Sequence, residues 1–357
     1  MQIMDIASKA IFAVTKGYGK KLAKKKIKPE IAGVQPEKIV GERFYSGFAS
    51  AEIMPNLAQG KTYLIAGHGS GHIMEGVLTP VSVSAVWLDC GQGKGFIWVS
   101  ADIIGLTRVE VTKVRGMLDD FCKKTGCIFI NISCTHSHSG IDTVGYWGIP
   151  NKLRLPADGK DPEYMAMLFD RICEVCKKAF ENREPGKLYL GSVSLPDAQF
   201  SKRPQGKLHD LLTRFRFAPD GGGKETWIVN FGGHPNSLGG DNRLLSAEYP
   251  YFLRESVSAG CGANVLFGIG AIGALDVAHY DDDNVENIKK QGKTLGEAAM
   301  SIKTDEELKV EITILSQPFY LPIDNDVLTL LAMRGTMNTD VYPDSRSRLG
   351  IANKSEM

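Results

Sequence analysis

An α/β domain built on a mixed β-sheet core flanked by helices is the fold class this sequence predicts, on three observations. Short apolar runs with strand alternation recur along the chain, helical patterns separate several of them, and histidines stand where two of the runs give way to glycine-rich loops. The bulk properties allow such a fold. A chain of 357 residues, 43% hydrophobic and 23% charged, has room for one large core or two modest ones. A net charge of +1 from 42 basic and 41 acidic residues gives nucleic acid no electrostatic footprint. The expected organisation is a basic N-terminal arm over residues 1–45 and a single α/β domain over 46–357, without internal repeat or clear linker.

In the arm, the stretch 1–14 is mildly amphipathic and is followed by Lys16, Lys20, Lys21, Lys24, Lys25, Lys26 and Lys28. Such a helix can rest on an anionic membrane surface, or it can be a solvated arm. Phe48 to Pro55 begins the globular part. Val81 to Leu88 alternates as a half-buried strand, and the turn Gly91 to Gly95 returns the chain into Phe96 to Val99, a hairpin. Thr107 with Glu110 forms a capping-box signal, and Val114, Met117, Leu118, Phe121 and Cys122 give the helix one apolar stripe as far as Gly126. The strand Ile128 to Ile132 completes a strand–helix–strand unit with parallel edges, which places Asp102 and His136 at the same carboxyl edge.

Ser139 to Lys160 is long, rich in glycine and proline, and carries Tyr146 and Trp147, a composition suited to a substrate-facing loop. Asp161-Pro162 opens a helix to about Asn182, which makes Cys173 and Cys176 small core residues despite their C-x-x-C spacing. Strands follow at Lys187 to Leu195, Leu211 to Phe217, Glu225 to Phe231, Asn264 to Phe267 and Leu308 to Ser316. Helices fall at about Glu248 to Ser258 and Asn284 to Lys303. The segment Arg348 to Met357 offers neither a folded element nor a packing face, as in a truncated product. Seven cysteines and no signal-peptide pattern favour a reducing, cytoplasmic setting, and no apolar run reaches the 18 or so residues that cross a bilayer.

The chemistry concentrates in Cys134-Thr135-His136-Ser137-His138-Ser139-Gly140. Residues two apart on an extended chain face the same way, so His136 and His138 can share one site, one holding a metal while the other handles a proton or an oxyanion. The other reading is a pair of loop histidines with ordinary hydrogen bonds. Trp227 to Pro235 repeats the design, with His234 at a strand exit. Two imidazoles brought to one sheet edge suit zinc, and a catalytic zinc site requires a third protein ligand. His68 and His72 can reach a metal, whereas His209 and His279 lack the strand-exit context. Beyond His234 come Ser237, Asn242, Arg243 and Ser246, then the glycine turn Gly268 to Asp276, whose N–H groups can face an anion or simply mark a close backbone crossing.

These residues carry a family resemblance. Ser100-Ala-Asp-Ile103, Thr135-His-Ser-His-Ser-Gly140, Asn230-Phe-Gly-Gly-His234 and Asn242-Arg-Leu-Leu-Ser246 follow the order of motifs in the catalytic domain of the neutral/alkaline ceramidases, from about Gly47 to Asp276. The chain resembles that domain. The resemblance implies a zinc-dependent amidase that cleaves the N-acyl bond of ceramide, or of a similar lipid or smaller amide. It implies His136 and His234 as Zn2+ ligands, His138 as the contact to substrate or oxyanion, and Arg203 as an orienting cation. Zinc there activates water and polarises the amide carbonyl. Three departures stand against it. Nothing after Ser316 matches the family's glutamate ligand and Glu356 is left unassigned; Asp276 stands where the family has a serine; and Ile141 replaces a proline. Two further readings stay open: a metal hydrolase of another amide or ester, and a catalytically incomplete metal- or lipid-binding relative.

Overall fold

The computed structural model describes residues 12–21, 36–150, 157–204, 206–325, 329, 341–349 and 351–356. A helix α1 covers 12–21. The main strands are β1 (Phe44–Glu52), β2 (Ser82–Asp89), β3 (Gly95–Ala101), β4 (Cys127–Cys134), β5 (Glu184–Ser194), β6 (Leu211–Pro219), β7 (Thr226–Phe231) and β8 (Asn264–Ile269). The remaining helices are α2 (Arg108–Met117), α3 (Asp119–Thr125), α4 (Pro162–Glu181), α5 (Tyr249–Cys261) and α6 (Asn284–Ser301). The strands form one mixed sheet in the order β8-β7-β6-β5-β1-β2-β3-β4, and Glu306–Glu307 adds a ninth, short strand on β5. Only β3–β4 and β7–β8 pair in parallel along this path.

Each expected element is present within a few residues of its sequence bounds, with two differences. The stripe from Val114 to Cys122 is not one helix: α2 ends at Met117 and α3 begins at Asp119. At the junction the Leu118 N–H bonds back to Arg115, a tight turn that keeps Leu118 fully buried while Met117 faces out. Asp119 and Asp120 then stand in the first turn of α3, where the helix dipole favours them. The second difference is the tail. Ile351–Glu356 is a strand that pairs with both Pro318–Pro322 and Val341–Pro343, and Leu349 and Ile351 are buried against Phe12 and Tyr18 of α1. The alternation Leu349/Ile351 supplies that packing face. Lys16, Lys20 and Lys21 lie on α1; Lys24, Lys25, Lys26 and Lys28 lie outside the described residues.

One core lies under α4, where Leu168, Ile172, Val175 and Cys176 meet Val83, Trp87, Ile97 and Val99. Cys173 and Cys176 are both buried there, and burial pushes the Cys173 thiol up to about 11, the state of a packing residue rather than a reactive one. A second core joins α5 and α6 to β7 and β8 through Leu253, Leu295, Trp227 and Phe267. A third cluster sets Val86 of β2 against Ile228 of β7 and Leu266 of β8, strands far apart in the pairing order. Ser100 Oγ also donates to the Phe267 carbonyl at 2.6 Å. The sheet is therefore coiled back on itself, β8 lying over β2 to β4. Among the described residues no helix is long and apolar enough to cross a membrane.

This coiling decides where the histidines meet. Between β4 and β7 the pairing path has five antiparallel steps, so in a flat sheet their carboxyl ends would lie at opposite edges. A right-handed twist of roughly 20–25° per pairing accumulates over the six pairings to about 120–150°. The two strand exits are thereby swung to one end of the molecule, and His138 N–H donates to the Pro235 carbonyl at 2.9 Å. The histidines of the two exits are brought together by this twist.

Candidate metal centre

Both histidine loops leave their strands abruptly. His136 takes a left-handed backbone, φ 64°, an uncommon state for a non-glycine residue and one that recurs at functional sites. Its N–H donates to the Ile103 carbonyl at 3.1 Å, and its ring Nδ1 lies 2.7 Å from the Ile104 carbonyl. The Ser100-to-Ile103 stretch thus holds His136 through backbone. The Asp102 carboxylate turns away: it accepts from Ser82 and from both terminal nitrogens of Arg254, and is a buried buttress.

With Nδ1 engaged by a carbonyl, the Nε2 of His136 is left for the cluster, the usual outer-sphere arrangement of a metal-binding imidazole. His138 Nε2 lies 3.1 Å from His234 Nε2, and the ring centroids of His136 stand 5.1 Å and 4.9 Å from those of His138 and His234. Among the described residues these three side chains form a group whose ligand atoms all fall within 4.8 Å of one another, so a metal ion can be held there. Two nitrogens at 2.0–2.1 Å from a tetrahedral ion are ~3.3 Å apart. The observed 3.1 Å between His138 and His234 is close to that spacing.

Electrostatics point the same way. Burial, then the neighbouring His234 and His136, lowers His138 to about 3, and burial with His136 lowers His234 to about 4. Burial also lowers His136. Neutral imidazole is the ligand form. His138 Nδ1, His68 Nε2 and Asp276 Oδ1 are buried without a hydrogen-bond partner. Asp276 Oδ1 lies 3.8 Å from His234 Nδ1, near the ring but beyond hydrogen-bond reach. Asp276 therefore contributes a carboxylate behind a histidine rather than the hydroxyl of the family's serine.

Support comes from residues the sequence named for other reasons. Ser137 Oγ donates to the Ser246 carbonyl at 2.7 Å, Asn242 Nδ2 donates to Ser139 Oγ at 3.1 Å, and the Gly273 N–H of the glycine turn points at His234 Nδ1 at 3.3 Å. That turn serves the histidine, not an anion. His68 stacks edge-on to His138 at 5.0 Å, and its carbonyl is held by Trp147 Nε1 at 3.1 Å, so the long loop does reach the site. His209 is tied through its backbone to Gln199, and His279 is exposed; neither joins the group. Arg203 is exposed on the turn after Ser201, its backbone bonded to the Ser201 hydroxyl. The preceding Lys202, which sequence reasoning passed over, pairs with Asp276 at 2.6 Å, and its charge lowers His68, His138 and His234. Glu248, also passed over, is wholly buried between the two histidine loops.

A coiled mixed sheet that carries a three-imidazole, metal-competent group at its strand exits is the class of protein defined here. Its fold is that of the neutral ceramidases. The chain superposes on the neutral ceramidase from Pseudomonas aeruginosa with a TM-score of 0.60 and 18% identity, covering 79% of this chain and 48% of that one. A ceramidase complexed with C2 gives a TM-score of 0.61 at 18% identity, with 79% and 47% covered. The chain thus spans about half the length of these structures. No protein-family model and no curated protein matches it.

Proposed function

We propose that the protein is a zinc-dependent hydrolase of N-acyl amides, with ceramide or a similar N-acyl lipid as its substrate class. The observation that carries the reading is the group His136, His138 and His234 on a ceramidase fold. A zinc ion held there lowers the pKa of water and polarises an amide carbonyl. His136 and His234 are its ligands. The 3.1 Å approach of His138 to His234 favours His138 as a third ligand over the substrate contact that the resemblance implies, leaving the fourth position open. Lys202 and Arg203 supply positive charge beside the site, Arg203 orienting substrate. A polar cleft of about 360 Å³ beside Asp276, walled by Phe200, Lys202, Asn236 and Ser237, gives part of a substrate room for its polar end. The same reading takes residues 46–357 as one domain, puts the protein in the cytoplasm, and lets the basic arm meet an anionic membrane where a lipid substrate resides.

Metal analysis followed by fatty-acid release from a panel of N-acyl amides tests this. One zinc per chain is expected in the wild type, with loss of metal and turnover in His136→Ala and His234→Ala. Hydrolysis that survives chelation and both substitutions would sink the mechanism. Stoichiometric zinc without hydrolysis of any amide or ester would favour the metal-binding relative instead.

A further inference from the structure

Among the described residues only two that are not glycine have positive φ, His136 at 64° and Glu248 at 53°. Glu248 pairs that φ with a ψ of −147°, a region that glycine occupies freely and other residues scarcely at all. It is also fully buried. A glutamate in a glycine conformation, with a carboxylate out of reach of water, is doubly costly, and its hydrogen bonds show what the side chain does. Oε1 accepts from Ser139 Oγ at 2.9 Å, next in sequence to His138. Oε2 accepts from the Ser237 N–H at 2.7 Å, three residues beyond His234. One carboxylate therefore spans the two loops that deliver the three imidazoles.

We infer that Glu248 is a positioning residue, a buried clamp that fixes the 136–139 loop against the 234–237 loop and so sets the spacing of the three imidazoles. The inference rests on the metal reading of that group for its consequence, but not for its geometry. Other links between the loops exist, namely His138 N–H to the Pro235 carbonyl and the approach of His138 Nε2 to His234 Nε2 at 3.1 Å. Each is a single contact. Among the described residues Glu248 bonds both loops through one carboxylate, and the Ser246 hydroxyl accepts its N–H at 2.9 Å to keep the unusual backbone in place. Glu248 acts through the histidine loops that it bonds. A merely structural residue at this position has no reason to be anything but glycine.

That contrast makes the test. Glu248→Gly relieves the backbone and deletes the carboxylate, while Glu248→Gln keeps one acceptor and turns an N–H2 group against a donor. Cobalt(II), a spectroscopic stand-in for zinc, is titrated into metal-free wild type and both variants, with hydrogen–deuterium exchange and thermal midpoint measured on the metal-free proteins. The expected result for Glu248→Gly is a thermal midpoint at or above that of the wild type. Cobalt affinity falls 10–100-fold, the range for losing a group that orients metal ligands. Exchange becomes faster in both the 134–140 and 234–240 segments, with β1 and β2 unchanged. Glu248→Gln should fall between. Cobalt affinity within twofold of wild type together with unchanged exchange in both segments would overturn the clamp. If the wild type takes up no cobalt, the metal reading fails, and the exchange arm alone still decides the clamp. Should both variants fail to fold, Ser139→Ala removes the donor to Oε1, and the same loosening of both segments is required of it.

Discussion

Removing the Arg254 guanidinium separates the role of Asp102 as a buttress from a role in chemistry. Asp102 is 1% exposed, and its carboxylate accepts the Ser82 N–H at 2.9 Å, the Ser82 hydroxyl at 3.0 Å, and Arg254 at 3.0 and 2.6 Å. In Arg254→Leu the two serine bonds remain, but a buried charge loses its partner, which costs about 3–5 kcal/mol. At roughly 1.3 °C per kcal/mol for a chain of this size, the thermal midpoint falls by about 4–7 °C. Replacing both residues by leucine removes the orphaned charge as well and is expected to recover much of the loss. Thermal and urea unfolding followed by circular dichroism read the stability, and zinc titration of the folded variants reads the site. Because Asp102 points away from the histidines, zinc affinity is expected within twofold of wild type in both. The reasoning is refuted if Arg254→Leu unfolds like the wild type yet has lost its metal, since Asp102 would then be acting on the site rather than under it.

Gly67 has φ 112°, and a β-carbon there would stand 2.5 Å from the Cα and Cβ of His138. Gly67→Ala is expected to cost about 1–3 kcal/mol in backbone strain and to weaken metal binding by displacing His138, measured by chelator competition; an affinity equal to wild type would show that His138 is not a ligand. The metal-free protein should also lose stability in mild acid. His138 and His234 are held near 3 and 4, below the ~6.5 of the unfolded chain, so their contribution is complete above pH 6.5 and is lost as pH falls toward the folded values. At pH 5 each accounts for about 2 kcal/mol. Glu248 works in the opposite sense: burial raises it from 4.5 to about 7, so its protonation in the fold returns stability as pH drops from 7 toward 4.5. It offsets about half the loss, leaving roughly 2 kcal/mol net. A metal-free midpoint that stays flat between pH 7 and 5 would contradict buried neutral imidazoles.

Local pattern carried most of the fold into view. Alternation in Val81 to Leu88, the Thr107/Glu110 cap and the Asp161-Pro162 start each depend on neighbours a few residues away, and each element sits within a residue or so of where its pattern placed it. The His-x-His pair was legible for the same reason, since a strand exit fixes both side chains at once. What the sequence could not supply was the meaning of residues whose partners are distant. Asp102 reads as a site carboxylate until Arg254, 152 residues on, is seen to hold it. Glu248 reads as a helix start until Ser139, 109 residues back, is seen to bond it. Its clue was present, a glutamate ahead of Tyr249-Pro250, but no local rule marks a left-handed glutamate.

The same distinction explains why the two histidine loops make a site at all. Each strand exit is a local product of its own sequence, and each could be recognised alone. Their meeting depends on six strand pairings and on a twist that no single pair sets, so it is a property of the whole sheet. A site assembled that way needs a local device to turn approximate proximity into ligand spacing, because an error of a few degrees per pairing accumulates across the sheet. The serine, glycine and glutamate contacts around His136, His138 and His234 are such devices, and they lie between the loops rather than within the strands. Substitutions in the sheet should therefore shift stability first, whereas substitutions in the contacts between the loops should shift metal affinity first.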